Sequence, residues 1–204
     1  MLVNQVRKWA FLLTVILLIL APVNQAMASD SKNSVHKNDV YKEIVHAMGS
    51  SEVPKKVLRV VTLFQGATDS VVALGVTPVG VVDSWAQQPT YEYLRDALKG
   101  VAHVGLETQP NLEAIVALKP DLIIGTKSRH EKIYHQLSQI APTVMTENVY
   151  DFKTILDLTA EALGKQVKGK QVWDDFQQRI TTLHNAIKQR EANWPLTAAI
   201  LNIR

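Results

Sequence analysis

Short apolar runs alternate with helix-patterned stretches through the middle of this chain, and that alternation most limits the folds open to it. Residues 57–63 read as a strand (Val-Leu-Arg-Val-Val-Thr-Leu), followed by a loop at Gln65-Gly66 and a helix from Asp69 to Leu74. A second run, 79–82, exits at Asp83-Ser84-Trp85 and is followed by a helix over 93–98. Asn111 caps a helix whose apolar residues Leu112, Ile115, Val116 and Leu118 share one face, and Lys119-Pro120 stops it. Leu122-Ile123-Ile124 is continuously apolar up to Gly125, the pattern of a strand buried on both faces. A helix over 131–140 and a strand over 143–145 complete the series. Strands and helices in this order build βαβ units, so the expected fold class is α/β, a three-layer lobe around a mainly parallel sheet.

Beyond residue 150 the pattern is helical throughout. Phe152, Ile155, Leu158 and Leu163 mark one amphipathic helix, closed by Gly164. Val172, Phe176, Ile180, Leu183 and Ile187 mark a second, long enough to act as a rigid strut, which Trp194-Pro195 ends. Residues 197–203 then read as one further strand. The expected organisation is a mobile lead-in and first short strand at 29–54, an amino-terminal α/β lobe at 55–165, an interlobe helix at 166–194, and at 195–204 the first strand of a second α/β lobe that is largely missing.

The front of the chain reads as an address. Arg7 and Lys8 precede an apolar run that stops at Pro22, and Ala26-Met27-Ala28 offers a small-x-small cleavage site. That run is shorter than the roughly 20 residues a spanning helix needs. A signal peptide over 1–28, cleaved after Ala28, implies a periplasmic product with no stable membrane anchor. The chain has no cysteine, which excludes disulfides, thiolate metal sites, cysteine nucleophiles and lipid attachment through that residue. The net charge of +3 falls to +1 once Arg7 and Lys8 are gone, which gives no nucleic-acid footprint.

Ligands of open parallel sheets bind at the carboxyl ends of the strands. The candidates are therefore Gln65 after the first strand, Asp83 to Trp85 after the second, Thr126 to His130 after the third and Glu147 to Tyr150 after the fourth. Arg129 is suited to hold a carboxylate through two parallel hydrogen bonds, and Lys127 adds a second positive group. Trp85 either forms a flat wall beside them or closes the core. Together they suit an anionic, partly apolar small molecule. Gly164 to Lys170 has P-loop spacing, but Gln171 stands where magnesium needs Ser or Thr, and the segment joins two helices. His130 and His135 lie five apart, so no helical metal pair is expected and both read as exposed polar residues. No catalytic residue stands out. Asp83 and Glu147 become an acid–base pair only if they face each other across a cleft.

Several of these segments resemble one known family. Gln65-Gly66-Ala67-Thr68-Asp69, the Ala73 to Val81 stretch, the Asn111 to Ile124 run and Ile140-Ala141-Pro142-Thr143 look like the amino-terminal lobe of periplasmic iron-siderophore-binding proteins, the substrate receptors of ABC importers. The segment from Ser128 to Tyr134 resembles the branch that handles ferric citrate and citrate-based hydroxamates. The resemblance implies the class III binding-protein fold, two lobes joined by a rigid helix, and a monomer. It implies a ferric siderophore as ligand, no cofactor and no protein metal ligands, since the siderophore already wraps the iron. Arg129 would hold the citrate unit, with Gln65, Trp85 and Lys127 lining the pocket, and Glu131 would contact the permease. Hydroxamate-only receptors carry an arginine where this chain has Glu107. A carboxylate there would repel an anionic ligand, which favours the citrate-type branch, with the positive charge supplied by Arg129. With half the clasp absent, weak or no binding is expected. Two other readings stay open: a receptor of the same architecture for haem, cobalamin or a metal ion, and an extracytoplasmic enzyme or interaction domain with no transport role.

Overall fold

The structure, a computed structural model, describes residues 40–190. The expected signal peptide, the lead-in over 29–38, the helix end at Trp194-Pro195 and the strand over 197–203 lie outside the described residues. The chain divides into units of residues 1–41 and 42–204, and the sheet and helices belong to the second.

Its centre is a six-stranded sheet in the order β6-β5-β4-β3-β7-β8. The strands are β3 (Val60–Thr62), β4 (Gly80–Asp83), β5 (Ala102–Leu106), β6 (Gln109–Pro110), β7 (Leu122–Thr126) and β8 (Thr143–Thr146). β3 pairs in parallel with both β4 and β7, with Val61 opposite Gly80 on one side and Ile123 on the other. β4–β5 and β7–β8 are also parallel, and only the short β6 runs against its neighbour. The mainly parallel α/β sheet expected from the apolar runs is what forms. β5 and β6 add to the strands expected. β5 exposes both its ends and buries only Val104 fully, so it has no apolar run to show.

Alternation along the strands sends side chains into two cores. Val60, Leu122, Ile124 and Val144 pack on α1 (Gln65–Ala73) and α5 (Phe152–Leu163), through Phe64, Ala67, Val71, Ile155 and Leu156. Val61, Ile123 and Met145 face the opposite way, toward α2 (Leu112–Ala117) and α4 (Tyr134–Ile140), through Ile115 and Leu137. Helices on both faces of a parallel sheet make the three layers. Asn111 caps α2 by accepting from the Ala114 N–H at 3.0 Å, as its residue type predicts.

Residues 41–54 hold two strands rather than one, β1 (Tyr41–His46) and β2 (Gly49–Pro54). They serve the edge of the main sheet: the Ala47 N–H donates to Met145 O at 2.9 Å and Ser51 Oγ to Thr143 O at 2.8 Å, covering the outer side of β8. The helix expected over 93–98 is a single 3₁₀ turn, Glu92–Leu94. Its i, i+4 leucines, Leu94 and Leu98, still reach Val81, a contact that a loose turn satisfies as well as a helix. α1 begins at Gln65 itself, so Gln65-Gly66 is helix and not loop. The helix expected over 131–140 starts earlier and in pieces: α3 (Lys127–His130), a 3₁₀ turn (Glu131–Ile133), then α4.

α5 ends at Gly164, whose φ of +66° is the left-handed conformation that glycine takes without strain. α6 (Gln166–Arg190) follows as 25 unbroken residues, roughly 37 Å at 1.5 Å per residue. The P-loop-like segment is thus the junction of two helices, with no strand before it. α6 leans on α5 at its start, where Trp173 and Phe176 join Phe152 in an aromatic group with ring centroids 5.6–5.8 Å apart.

Candidate functional site

The chain leaves β3 toward β4 on one side and returns to pair with it through β7 on the other, so the strand order reverses at β3. Crevices at the carboxyl ends of strands form at such a reversal. Gln65 opens α1 just after β3, Ser84 and Trp85 follow β4, and Lys127 to His130 form α3 directly after β7.

Glu107 organises the deepest part of this rim. It follows β5, and although charged it is 4% exposed. One carboxylate oxygen accepts from Arg129 Nη1, and the other accepts from the Trp85 indole N–H at 3.0 Å. The Arg129 guanidinium lies 5.2 Å from the Trp85 ring centroid, within cation–π reach. Trp85 is 60% exposed, so it forms a wall at the rim and does not close the core. Sequence alone presents Glu107 only as a carboxylate that repels anions. In the structure its charge is matched by Arg129, and it positions the two residues most suited to a ligand.

His130 secures this group from below. The expectation of an exposed polar residue is wrong: it is fully buried. Its Nδ1 accepts from the Thr126 N–H at 3.1 Å, so its Nε2–H donates to Glu107 O at 2.8 Å. Burial, with the Arg129 charge beside it, lowers its pKa and keeps the ring neutral. The missed signal is spacing: four residues is one helical turn, which brings the ring back to the last residue of β7.

Two further pairs complete the rim. Lys127 Nζ lies 3.2 Å from Glu147 Oε1. Gln65 donates its side-chain amide to Asp83 O at 3.1 Å, and Asp83 Oδ1 pairs with His103 Nδ1 at 2.7 Å. Asp83 and Glu147 do not form an acid–base pair. Each has a basic partner of its own, and β4 and β8 stand three strand spacings apart, about 14 Å. Close to the rim, the Tyr93 hydroxyl donates to Asp69 at 2.9 Å; burial and that carboxylate push the phenol up to about 12, so it remains a donor. Glu131 is exposed at the start of the 3₁₀ turn, directly after the site residues of α3. Among the described residues no group of three or more His, Asp or Glu side chains is placed to hold a metal ion.

A hollow of about 200 Å³ is lined by Asp83, Ser84, Trp85, Gln88, Leu106, Glu107 and Thr108. Small-molecule sites usually measure about 300–1,000 Å³, so this one accommodates part of a ligand. A larger hollow of about 430 Å³ lies on the flank between α5 and α6. Its Lys153 and Lys170 are already paired with acids on their own helices, Asp157 and Asp174.

Residues 60–202 match the family described as Periplasmic binding protein. This chain belongs to that family. Among its relatives, the achromobactin-binding periplasmic protein of Dickeya dadantii is 51% identical over 147 residues, 72% of this chain and 48% of the relative. A probable siderophore-binding lipoprotein of Bacillus subtilis is 45% identical over 179 residues, 87% of this chain and 54% of the relative. Among solved structures, that of the Staphylococcus aureus protein SirA complexed with staphyloferrin B aligns with a TM-score of 0.72 and 46% identity, covering 76% of this chain and 53% of that one. The fold is the class III periplasmic binding-protein fold, and the chain spans about half the length of the relatives it matches.

Proposed function

We propose that this chain supplies the amino-terminal, ligand-contacting lobe of an extracytoplasmic receptor for a ferric siderophore that presents carboxylates, either ferric citrate or a citrate-based hydroxamate, and that it serves an ABC importer. The observation that carries the reading is the Glu107–Arg129–Trp85 group at the strand ends. A guanidinium has five N–H donors and Glu107 takes one, so Arg129 is held in place with donors to spare. Beside it Trp85 presents an open aromatic face to the carbon skeleton of a ligand. Lys127 and Gln65 extend the same rim, and Glu131, exposed beside it, is assigned to the permease contact. The iron arrives inside its chelator as cargo, so the lobe reads an organic envelope and supplies no metal ligands. The relatives being binding proteins supports a transport role over catalysis, and the signal-like pattern of residues 1–28 supports delivery to the periplasm.

Arg129→Ala tests the reading. A charge-assisted hydrogen bond contributes about 1.5–3 kcal/mol, so affinity for ferric citrate is expected to fall by about tenfold or more. Calorimetric titration that finds the variant binding as well as the parent would refute the assignment.

A further inference from the structure

The rim holds two cation–carboxylate pairs that differ in their access to water. In the Arg129–Glu107 pair the side chains are 25% and 4% exposed. In the Lys127–Glu147 pair they are 34% and 67% exposed. Glu107 is tied a second time by the Trp85 indole, and its backbone oxygen accepts from His130. Opening a buried pair strands a charge where little solvates it, whereas an exposed pair changes partner at small cost. The balance of charge makes the difference matter. Lys127 and Arg129 stand among three carboxylates, Asp83, Glu107 and Glu147, so an anionic ligand meets no surplus of fixed positive charge until one pair opens. The exposed pair is the one able to open.

We infer that the two glutamates act on ligand binding with opposite sign: Glu107 is a positioning residue that keeps Arg129 and Trp85 in the binding geometry, and Glu147 is an internal competitor that occupies Lys127 until a ligand carboxylate displaces it. This rests on the proposed function, since it needs an anionic ligand at this rim. Binding is then an exchange at Lys127 Nζ. The ammonium group gives up the Glu147 carboxylate for one on the ligand, and Glu147 turns into the water it already faces. Arg129 exchanges nothing and adds its remaining donors. Lys127 thus carries a built-in anion threshold, which a ligand carboxylate must exceed before it gains the contact.

The test uses the 204-residue chain with gallium(III) citrate as the probe, a diamagnetic substitute for the ferric complex, followed through the Trp85 indole N–H resonance. Trp85→Phe identifies that resonance. Without ligand, Glu107→Gln is expected to move it, because the carboxylate that accepts from it is gone, while Glu147→Gln leaves it in place. On titration, Glu107→Gln is expected to weaken binding about tenfold and Glu147→Gln to tighten it about threefold, the scale of an exposed pair. The gain from Glu147→Gln is expected to vanish in a Lys127→Met background, because no cation remains to be released. A gain that persists there would mean simple repulsion of the ligand by Glu147 and would overturn the competitor role. Effects of the same sign in the two glutamine variants would overturn the inference and leave the proposed function standing. As the chain spans about half the length of its relatives, the proposed function commits it to weak binding, so the titration runs to millimolar gallium citrate, and no response of the parent chain there would overturn the proposed function and this inference with it. Should Glu107→Gln fold poorly, the Glu147 and Lys127 variants decide the question without it.

Discussion

His130 shows how a single side chain links the site to the stability of the lobe. Its ring is buried and neutral, accepting from Thr126 N and donating to Glu107 O, and its pKa lies below the ordinary 6.5. In the unfolded chain the same ring gains a proton once pH falls below about 6.5, while the folded protein still excludes it. The unfolded state then binds more protons, so stability declines as pH drops from about 6.5 toward the folded-state value and levels off beneath it. His46, also lowered by burial, acts in the same direction. His130→Gln is expected to be less stable than the parent near pH 7.5, by about 1–3 kcal/mol for groups left without partners. The gap should narrow toward pH 5, as urea unfolding at the two pH values will read. A gap that does not change with pH would mean that His130 is not held neutral. Arg129, Lys127, Trp85 and Gln65 were legible in the sequence because strand ends can be located and residue type then selects among them. Glu107 and His130 were also marked, the first as a carboxylate facing an anionic ligand and the second within the Thr126 to His130 strand end, but their roles in holding the site together were not legible. The role of Glu107 depends on a strand with no apolar run, and that of His130 on a bend of chain that brings its ring beneath Glu107.

Among the elements, the α5–α6 junction depends on two small residues facing each other. A Cβ placed on Gly169 would lie 2.8 Å from the Ala160 Cβ, closer than two carbons tolerate. Gly169→Ala therefore sets two effects against each other. Helix propensity favours alanine by about 1 kcal/mol, while forcing the helices apart costs about 1–3 kcal/mol. The steric cost is expected to win, lowering the melting temperature, and Ala160→Gly in the same chain should recover part of the loss. If Gly169→Ala alone raises the melting temperature, α6 does not pack on α5 as closely as the structure has it. The same junction shows which elements a sequence reveals. α5 and α6 were evident from their 3.6-residue periodicity and the glycine between them, and β3, β4, β7 and β8 from short, largely apolar runs. β5, β6 and the β1–β2 sheet are edge pieces. They offer at most one fully buried residue per strand, Ile44, Val53 and Val104, and rely besides on backbone bonds such as Ala47 N–H to Met145 O, which leave no mark on side-chain pattern.

At the scale of the whole molecule, the described packing of α6 on α5 gathers toward the start of the helix. Its first three turns carry Gly169, Val172, Trp173 and Phe176, all at least half-buried, whereas Ile180 and Leu183 are 47% and 61% exposed. The apolar stripe that identified this helix runs on through these two exposed residues to Ile187, which is again at least half-buried. Periodicity reports which face is apolar and not what covers it, so the sequence could not show where packing stops. The chain spans about half the length of the relatives it matches. The stability of the lobe should be indifferent to the two exposed residues of the stripe, Ile180 and Leu183. Ile180→Gln with Leu183→Gln is expected to leave the unfolding free energy within about 0.5 kcal/mol, the scale of surface substitutions. Trp173→Ala, inside the aromatic group, removes an aromatic ring from a partly buried contact; full burial of such a ring would make the loss about 3–5 kcal/mol, and here it is expected to be smaller but well above about 0.5. Denaturant unfolding of the two variants side by side decides it. Equal losses would mean that the distal helix packs onto the lobe in solution, and the strut would have to be redrawn as part of the core.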